Sequence, residues 1–256
     1  MDILGIDFGG SGIKGALVNP KNGKLSSERH RIPTPDPSTP EAVTETIKAI
    51  ADHFNHQGRI GVAFPAPIQN HIVRTASNID KSWIGQNASR LFSEATSCEV
   101  AVLNDADAAG MAEIIYGHGK NHQGVVMVIT VGTGLGTALF NKQVLLPNTE
   151  LGHVYYKNKI AEKYTSDAVR KTQDLSWKKW GKRFGKYLRY MEKLFYPEII
   201  ILGGGVSKKF DKFSTYLKTE TEVMPAHLLN EAGIIGAATA AYYWTHEPDR
   251  EISEQS

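Results

Sequence analysis

The sequence predicts an α/β protein in which one architectural plan is used twice. Short apolar runs alternate with helix-like stretches along the chain. A strand, a glycine-rich turn and a return strand occur near the start and again in mid-chain. Polar residues also follow apolar runs directly, which puts them where ligands bind in open α/β sheets.

The elements follow in order. Ile3-Leu4-Gly5-Ile6-Asp7 is an apolar run ending in an acid, followed by Gly9-Gly10-Ser11-Gly12 and the return strand Ile13-Lys14-Gly15-Ala16-Leu17-Val18. Asn19-Pro20-Lys21-Asn22-Gly23 is turn-like, and residues 33–40 form a proline-rich connector. Thr39 N-caps a helix with Pro40 in its first turn, running to about Phe54. Arg59-Ile60-Gly61-Val62-Ala63-Phe64 reads as a strand that Pro65-Ala66-Pro67 stops. Val100-Ala101-Val102-Leu103 is the next strand and delivers Asn104-Asp105 to its carboxyl end, with a helix over 106–116. A buried strand over 124–131 enters Gly132-Thr133-Gly134-Leu135-Gly136 and returns through Thr137-Ala138-Leu139-Phe140. Residues 176–195 read as a helix, Glu198-Ile199-Ile200-Ile201-Leu202 as a strand entering Gly203-Gly204-Gly205, and a last helix starts near Ala232.

Composition narrows the class. With 256 residues, 41% of them hydrophobic, the chain can bury one large core or two small ones. It has no apolar run long enough for a membrane span and no basic-then-apolar leader, so a cytoplasmic protein without a membrane partner is expected. Cys98 is the single cysteine, which excludes an internal disulfide and a cysteine metal cluster. The net charge of +2 is too small to imply a polyanion by itself, so the placement of charge matters more.

Four constellations carry chemistry. In the two glycine turns, backbone N–H groups can point at phosphate oxygens without a side chain between them. Ser11 and Thr133 add hydroxyl donors, Lys14 a positive charge, and Asp7 a carboxylate able to hold phosphate-bound Mg²⁺, directly or through water. Either turn alone equally reads as a tight hairpin. At the end of the 100–103 strand, Asp105 can accept the proton of an attacking hydroxyl and Asn104 can orient a neighbouring one. The same residues, or Asp107, also suit the cap of the following helix. Glu150 and His153, three apart, can face one side and grip vicinal hydroxyls, while a lone histidine equally serves as a structural hydrogen-bonding residue.

The fourth constellation is the 176–195 helix. Trp177, Trp180, Phe184, Leu188, Met191 and Phe195 form its apolar stripe. Lys178, Lys179, Lys182, Arg183, Lys186 and Arg189 fall on the other face, with no acid between Asp174 and Glu192. Such a face is either solvated surface or a track for a polyanion.

These motifs resemble the ROK family of sugar kinases over almost the whole chain. Asp7-Phe8-Gly9-Gly10-Ser11-Gly12-Ile13-Lys14-Gly15 is similar to its first phosphate motif, and Gly132-Thr133-Gly134-Leu135-Gly136 to its second. Leu103-Asn104-Asp105-Ala106 resembles its catalytic strand end, Glu150-Leu151-Gly152-His153 its sugar-binding motif, and Glu162-Lys163-Tyr164-Thr165-Ser166 the segment with its last sugar-binding glutamate. The polyphosphate glucokinase branch is nearer still. Residues 73–85, Asp174-Leu175-Ser176-Trp177 and Gly203-Gly204-Gly205-Val206-Ser207-Lys208-Lys209 all resemble it. Ala66 stands where the family usually has glycine after its Phe-Pro pair. Between His153 and Glu162 there is no cysteine, so the family's zinc cluster is not expected.

The resemblance implies a two-domain actin-like ATPase (ribonuclease H-like) fold with a cleft between the domains. It divides the chain into a small N-terminal domain (1–104 plus about 232–246), a large C-terminal domain (105–231) and a disordered tail (247–256). It implies transfer of a phosphoryl group from inorganic polyphosphate, with ATP as a second donor, to the 6-hydroxyl of glucose, with Mg²⁺ as cofactor. Asp105 is then the base, and Asn78, Asn104, Glu150, His153 and Glu162 bind the sugar. Gly9, Gly10, Ser11, Gly12, Lys14, Gly132, Thr133, Gly134, Gly136, Gly204 and Lys208 bind phosphate, and Asp7 holds the metal. A homodimer is expected and a nucleic-acid partner is not, since the chain opens directly on the first kinase strand without the helix-turn-helix segment of ROK repressors. The rival readings are a strictly ATP-dependent glucokinase or other hexokinase, and a sugar sensor or polyphosphate-binding protein without turnover.

Overall fold

The first hairpin forms from β1 (Ile3–Gly9) and β2 (Gly12–Asn19), joined by Gly10 and Ser11 alone. The chain continues through β3 (Lys24–Leu25), β4 (His30–Ile32), α1 (Pro40–His53), β5 (Ile60–Phe64), β6 (Ile68–Gln69), β7 (Ile72–Val73), α2 (Ala88–Thr96) and β8 (Val100–Asn104). Next come α3 (Asp105–Ile115), β9 (Val125–Val131), β10 (Leu135–Asn141), β11 (Val144–Leu146), β12 (Tyr155–Tyr156) and β13 (Lys159–Ile160). The last elements are α4 (Glu162–Thr165), α5 (Asp167–Thr172), α6 (Trp177–Phe195), β14 (Ile199–Gly203), β15 (Glu222–Pro225) and α7 (Ala232–Tyr243). The computed structural model describes residues 1–243. The expected tail and the last positions assigned to the C-terminal helix, 244–246, lie outside the described residues.

The repeated plan is real at the level of topology. One sheet has the order β3-β2-β1-β5-β8, with β4 also paired to β2; the other has the order β11-β10-β9-β14-β15. In each, the hairpin strands are antiparallel and the last two joins are parallel. The glycine turns are the tips of matching hairpins, and both tips lie at the carboxyl ends of the parallel strands.

Local signals explain the helices. Thr39 accepts a hydrogen bond from the Ala42 N–H at 3.3 Å, with Pro40 at the first position of α1. Val43, Ile47, Ile50 and Ala51 recur at helical spacing and are buried on the first sheet with Leu4, Ile6 and Val62. On α6, Trp180, Phe184, Tyr187, Leu188 and Met191 pack on one face of the second sheet, with Met127, Ile129 and Val131. The other face, with Val126 and Val128, packs with α3 and with Ala237 and Ala240 of α7. Thus α3 and α7 form a layer between the two sheets, while α1, α2 and α6 cover the outside.

α7 comes unusually close to the first sheet. A Cβ on Gly61 would lie 1.9 Å from the Ala237 carbonyl oxygen. Only a residue without a side chain lets the helix backbone settle there.

The basic face of α6 differs from expectation. Lys178, Lys179, Lys182 and Lys186 are exposed, but Arg183 and Arg189 are half-buried. Arg183 donates to the Tyr164 carbonyl at 3.3 Å and to Gln173 Oε1 at 2.8 Å, and lies over the Tyr164 ring. Arg189 donates to the Leu217 and Lys218 carbonyls at 2.6 and 3.1 Å. Long side chains on a helix flank reach neighbouring loops, so periodicity alone overcounts the solvated charges.

Candidate active site

Register sets the site's floor. Asp7 of β1 pairs with Ala63 of β5, which pairs with Leu103 of β8, so Asp7 and the Asn104-Asp105 step emerge at the same edge of the sheet. The cleft there, about 570 Å³, is lined by Asp7, Lys14 and Arg31 of the first sheet, by Asp105 of α3, by Thr130 of β9, and by Gly204 just past β14. Gly233 of α7 also borders it, and a Cβ there would come within 3.0 Å of Asp7 Oδ1.

Asn104 is the cap of α3. Its Oδ1 accepts from the N–H groups of Ala106 at 2.8 Å and Asp107 at 3.3 Å. Capping consumes the oxygen and leaves the amide NH₂ as the group able to reach a ligand. With Asn104 in that role, Asp105 is the first residue of the helix and is open to solvent in the cleft. Its Oδ1 accepts from the Ala106 N–H at 2.8 Å.

Water reaches the Asp105 carboxylate from the cleft, but protein crowds it from the other sides. This burial is the main reason its pKa is raised to about 6, with the charge of Asp7 next and that of Glu150 a smaller addition. The bond from Ala106 works in the opposite direction. Asp7 is raised as well, by burial, against the pull of Lys14, whose Nζ lies 3.5 Å from Oδ2. Two carboxylates that each resist ionisation, facing one cleft, suit a cation between or beside them.

The sugar-side residues form a second group. Glu150 precedes a single 3₁₀ turn, Leu151–His153, which swings His153 back over it. His153 Nδ1 lies 3.5 Å from Glu150 Oε2, and Nε2 lies 3.9 Å from Glu162 Oε1. Burial raises the Glu150 pKa, His153 opposes this, and Glu162 adds to it. The Glu162 carboxylate lies against the second glycine turn, since a Cβ on Gly134 would sit 2.5 Å from its Oε2.

The turns themselves are open. A Cβ on Gly10, Gly132 or Gly205 would meet nothing within 4 Å. Gly204 has φ +74°, a left-handed conformation that favours glycine. Asn78 is exposed on the loop after β7, and Lys208 is exposed after the third glycine turn. No hydrogen bond or ion pair among the described residues joins either to the two groups.

Sequence reasoning missed three contributors. Arg29 and Arg31 line the cleft; the alternation of Arg29 and Arg31 with His30 and Ile32 before Pro33 is a strand signal, but a very short one. The stretch Leu229-Asn230 with Ala232 and Gly233 also borders the cleft and had no local signature. Asp107 is buried, with a pKa raised to about 7 by burial above all, and with Oδ1 unpartnered. Its Oδ2 accepts from the Asn148 N–H at 2.8 Å, and the Asn148 side chain in turn bonds both the N–H and the carbonyl of Ile68.

Twin sheets of one topology, with paired carboxylates and open glycine turns at a shared cleft, define the actin-like ATPase fold. Within it the chain belongs to the ROK family, whose model matches residues 3–164. The polyphosphate glucokinase of Mycobacterium tuberculosis is 44% identical over 239 residues, 93% of this chain and 90% of that protein. The crystal structure of the inorganic polyphosphate/ATP-glucomannokinase from Arthrobacter sp. strain KM matches with a TM-score of 0.90 at 42% identity, covering 95% of this chain and 99% of that one. A ROK family glucokinase from Streptomyces griseus, solved with glucose and AMPPNP, has a TM-score of 0.81 at 22% identity, covering 95% of this chain and 100% of the other. At that identity the likeness speaks for the fold.

Proposed function

We propose that this protein transfers a phosphoryl group from inorganic polyphosphate, or from ATP, to the 6-hydroxyl of glucose in the cytoplasm. The observation that carries this reading is the Asp105 carboxylate, open in the cleft and under the influence of both Asp7 and Glu150. Asp105 is thus within reach of the charges of both the acid that would serve the donor and one that would serve the sugar. The relatives named above, alike over nearly the whole chain, support the choice of donor and acceptor.

In this reading Glu150, His153 and Glu162, with the Asn104 NH₂ group and Asn78, hold glucose so that its 6-hydroxyl meets Asp105. Asp105 takes the hydroxyl proton as that oxygen bonds to the terminal phosphorus, while the bridging P–O bond to the next phosphate breaks and the shortened polyphosphate, or ADP, leaves. Little proton transfer is needed early in a loose transition state, so orientation of the oxygen and stabilisation of equatorial charge dominate. The open turns at Gly10 and Gly132, with Ser11, Thr133 and Lys14, would supply donors to the moving phosphoryl group. Gly9, Gly12, Gly134, Gly136, Gly204 and Lys208 complete the phosphate set in this proposal.

The residues fit Mg²⁺, which takes one or two carboxylates and keeps waters and phosphate oxygens as its other ligands. Asp7 would hold it, with the Asp105 carboxylate lining the same cleft. Bound there, the ion would neutralise charge on the donor phosphates. The lobes of this mechanism are 1–104 with α7, and 105–231.

The test is formation of glucose 6-phosphate by the purified protein with polyphosphate or ATP, each with and without Mg²⁺. Product with polyphosphate that needs the metal is expected; binding of glucose without product from either donor would make the protein a sensor.

A further inference from the structure

We propose that Arg29 and Arg31 form a donor subsite that holds phosphate units of the chain beyond the one being transferred. The inference rests on the polyphosphate reading above and adds the residues that make the choice of donor.

Its basis is a row across three strands. Asp7 of β1 lies opposite Lys14 of β2, and Lys14 lies opposite Arg31 of β4. Directly opposed residues project from the same face of a sheet, and neighbouring strands are about 5 Å apart. The row therefore runs outward from the metal-binding candidate to the rim of the cleft. Arg29, two positions before Arg31, lines the same cleft. The intervening His30 and the following Ile32 face the other way. His30 stacks on His53 of α1 at 3.7 Å, and Ile32 packs against the first core.

Charge separates this row from a simple structural one. Lys14 is paired with Asp7. Arg31 donates to the Ser11 carbonyl in the first glycine turn, and its guanidinium crosses Gly12, where a Cβ would come within 2.4 Å of it. Neither Arg29 nor Arg31 has a carboxylate partner among the described residues. Two guanidinium groups lining one cleft without a carboxylate partner favour an anion there, and their planar forks match phosphate oxygens. A nucleoside triphosphate ends its charge a few phosphates from Asp7, whereas polyphosphate continues it along the row.

This position also differs from α6. The exposed lysines of α6 are not among the residues lining the cleft, and the helix packs on the outer face of the second sheet. The donor track thus belongs to β4 and to Arg29 just before it.

Kinetics with long-chain polyphosphate and with ATP decide the matter. Arg29→Ala and Arg31→Lys should raise KM for polyphosphate roughly 10- to 100-fold, the scale of one lost charge-assisted hydrogen bond. KM for glucose and KM for ATP should stay within about twofold, which would also show that the variants fold. The slope of log(kcat/KM) for polyphosphate against log salt should flatten by roughly 0.7–0.9 in Arg29→Ala, by counterion release. A variant with Lys178, Lys179, Lys182 and Lys186 all changed to Ala should keep the wild-type KM and slope. An unchanged polyphosphate KM in both arginine variants, or a loss confined to the α6 variant, would overturn the subsite. Wild-type protein that works with ATP and never with polyphosphate would refute the donor reading itself, and the subsite with it.

Discussion

Asp105 at the start of α3 and Asp7 on β1 face one cleft, and after burial the charge of Asp7 is the largest influence lifting the Asp105 pKa to about 6. Asp105 must be ionised to serve as the proposed base, and Mg²⁺ beside it would favour the ionised form, so turnover should rise with pH to a plateau reached below the metal-free midpoint of about 6. Stability should move the other way. The native state keeps the Asp105 proton up to about 6, whereas the unfolded chain releases it near 3.8. Between those values the folded form binds more protons, so this group's contribution is present below about 4 and is lost as pH rises through 6. Carboxyl-carbon NMR titration in metal-free protein should give a midpoint near 6 for Asp105, lower in Asp7→Asn. A midpoint near 4 in the wild type would remove the coupling.

Removing the proposed base separates chemistry from folding. Asp105→Ala should lower kcat by about 10²–10⁴-fold, the usual span for a general base. Asn104 still caps α3 through its own oxygen, so the helix start does not depend on Asp105. The variant should melt within a few degrees of wild type, and glucose should still bind. Turnover near the wild-type level would take Asp105 out of the mechanism.

The second glycine turn lies against Glu162, the proposed sugar ligand. Gly134→Ala would place a methyl 2.5 Å from Glu162 Oε2 and push the carboxylate off its position. Losing one charged hydrogen bond to a hydroxyl costs about 1.5–3 kcal/mol. The KM for glucose should therefore rise roughly 10- to 100-fold; since Gly134 also belongs to the proposed phosphate set, the KM for donor should rise too, but by less. Equal rises in both would mean that the turn, and not Glu162, was disturbed.

Much of the fold was legible because its signals are local. Apolar runs of strand length, Thr39-Pro40 at the start of α1 and the glycine turns all report on neighbours in sequence. The Glu150–His153 pair was legible for the same reason, being three residues apart. What escaped is non-local. β4 is three residues long and exists because β2 offers it a free edge. Arg31 meets Lys14 only through that pairing. Arg183 and Arg189 leave the basic face of α6 for carbonyls in loops distant in sequence. The cap of α3 was one of several open choices, since Asn104, Asp105 and Asp107 all have the chemistry and only backbone geometry selects among them.

The link from Asp107 through Asn148 to Ile68 yields the last prediction. Ile68 packs against the first core, while Asp107 lies on the helix that packs against the second sheet. The Asn148 amide therefore fastens one half of the molecule to the other through two bonds of 2.7 and 2.8 Å. Asp107 fixes Asn148 by accepting from its N–H, and burial keeps the carboxyl protonated to about pH 7. Asp107→Ala strands that N–H and should cost about 1–3 kcal/mol in urea unfolding. Asp107→Asn keeps an oxygen for Asn148 and carries no charge, so it should equal or exceed wild type at pH 8, where the buried carboxylate ionises with Oδ1 unpartnered. At pH 6 the carboxyl is mostly neutral in the wild type, and the gap between Asn and Asp at this position should narrow. A gap that stayed constant between pH 6 and 8 would mean that Asp107 does not titrate in this range, and that its orphaned oxygen rather than its charge sets the local cost.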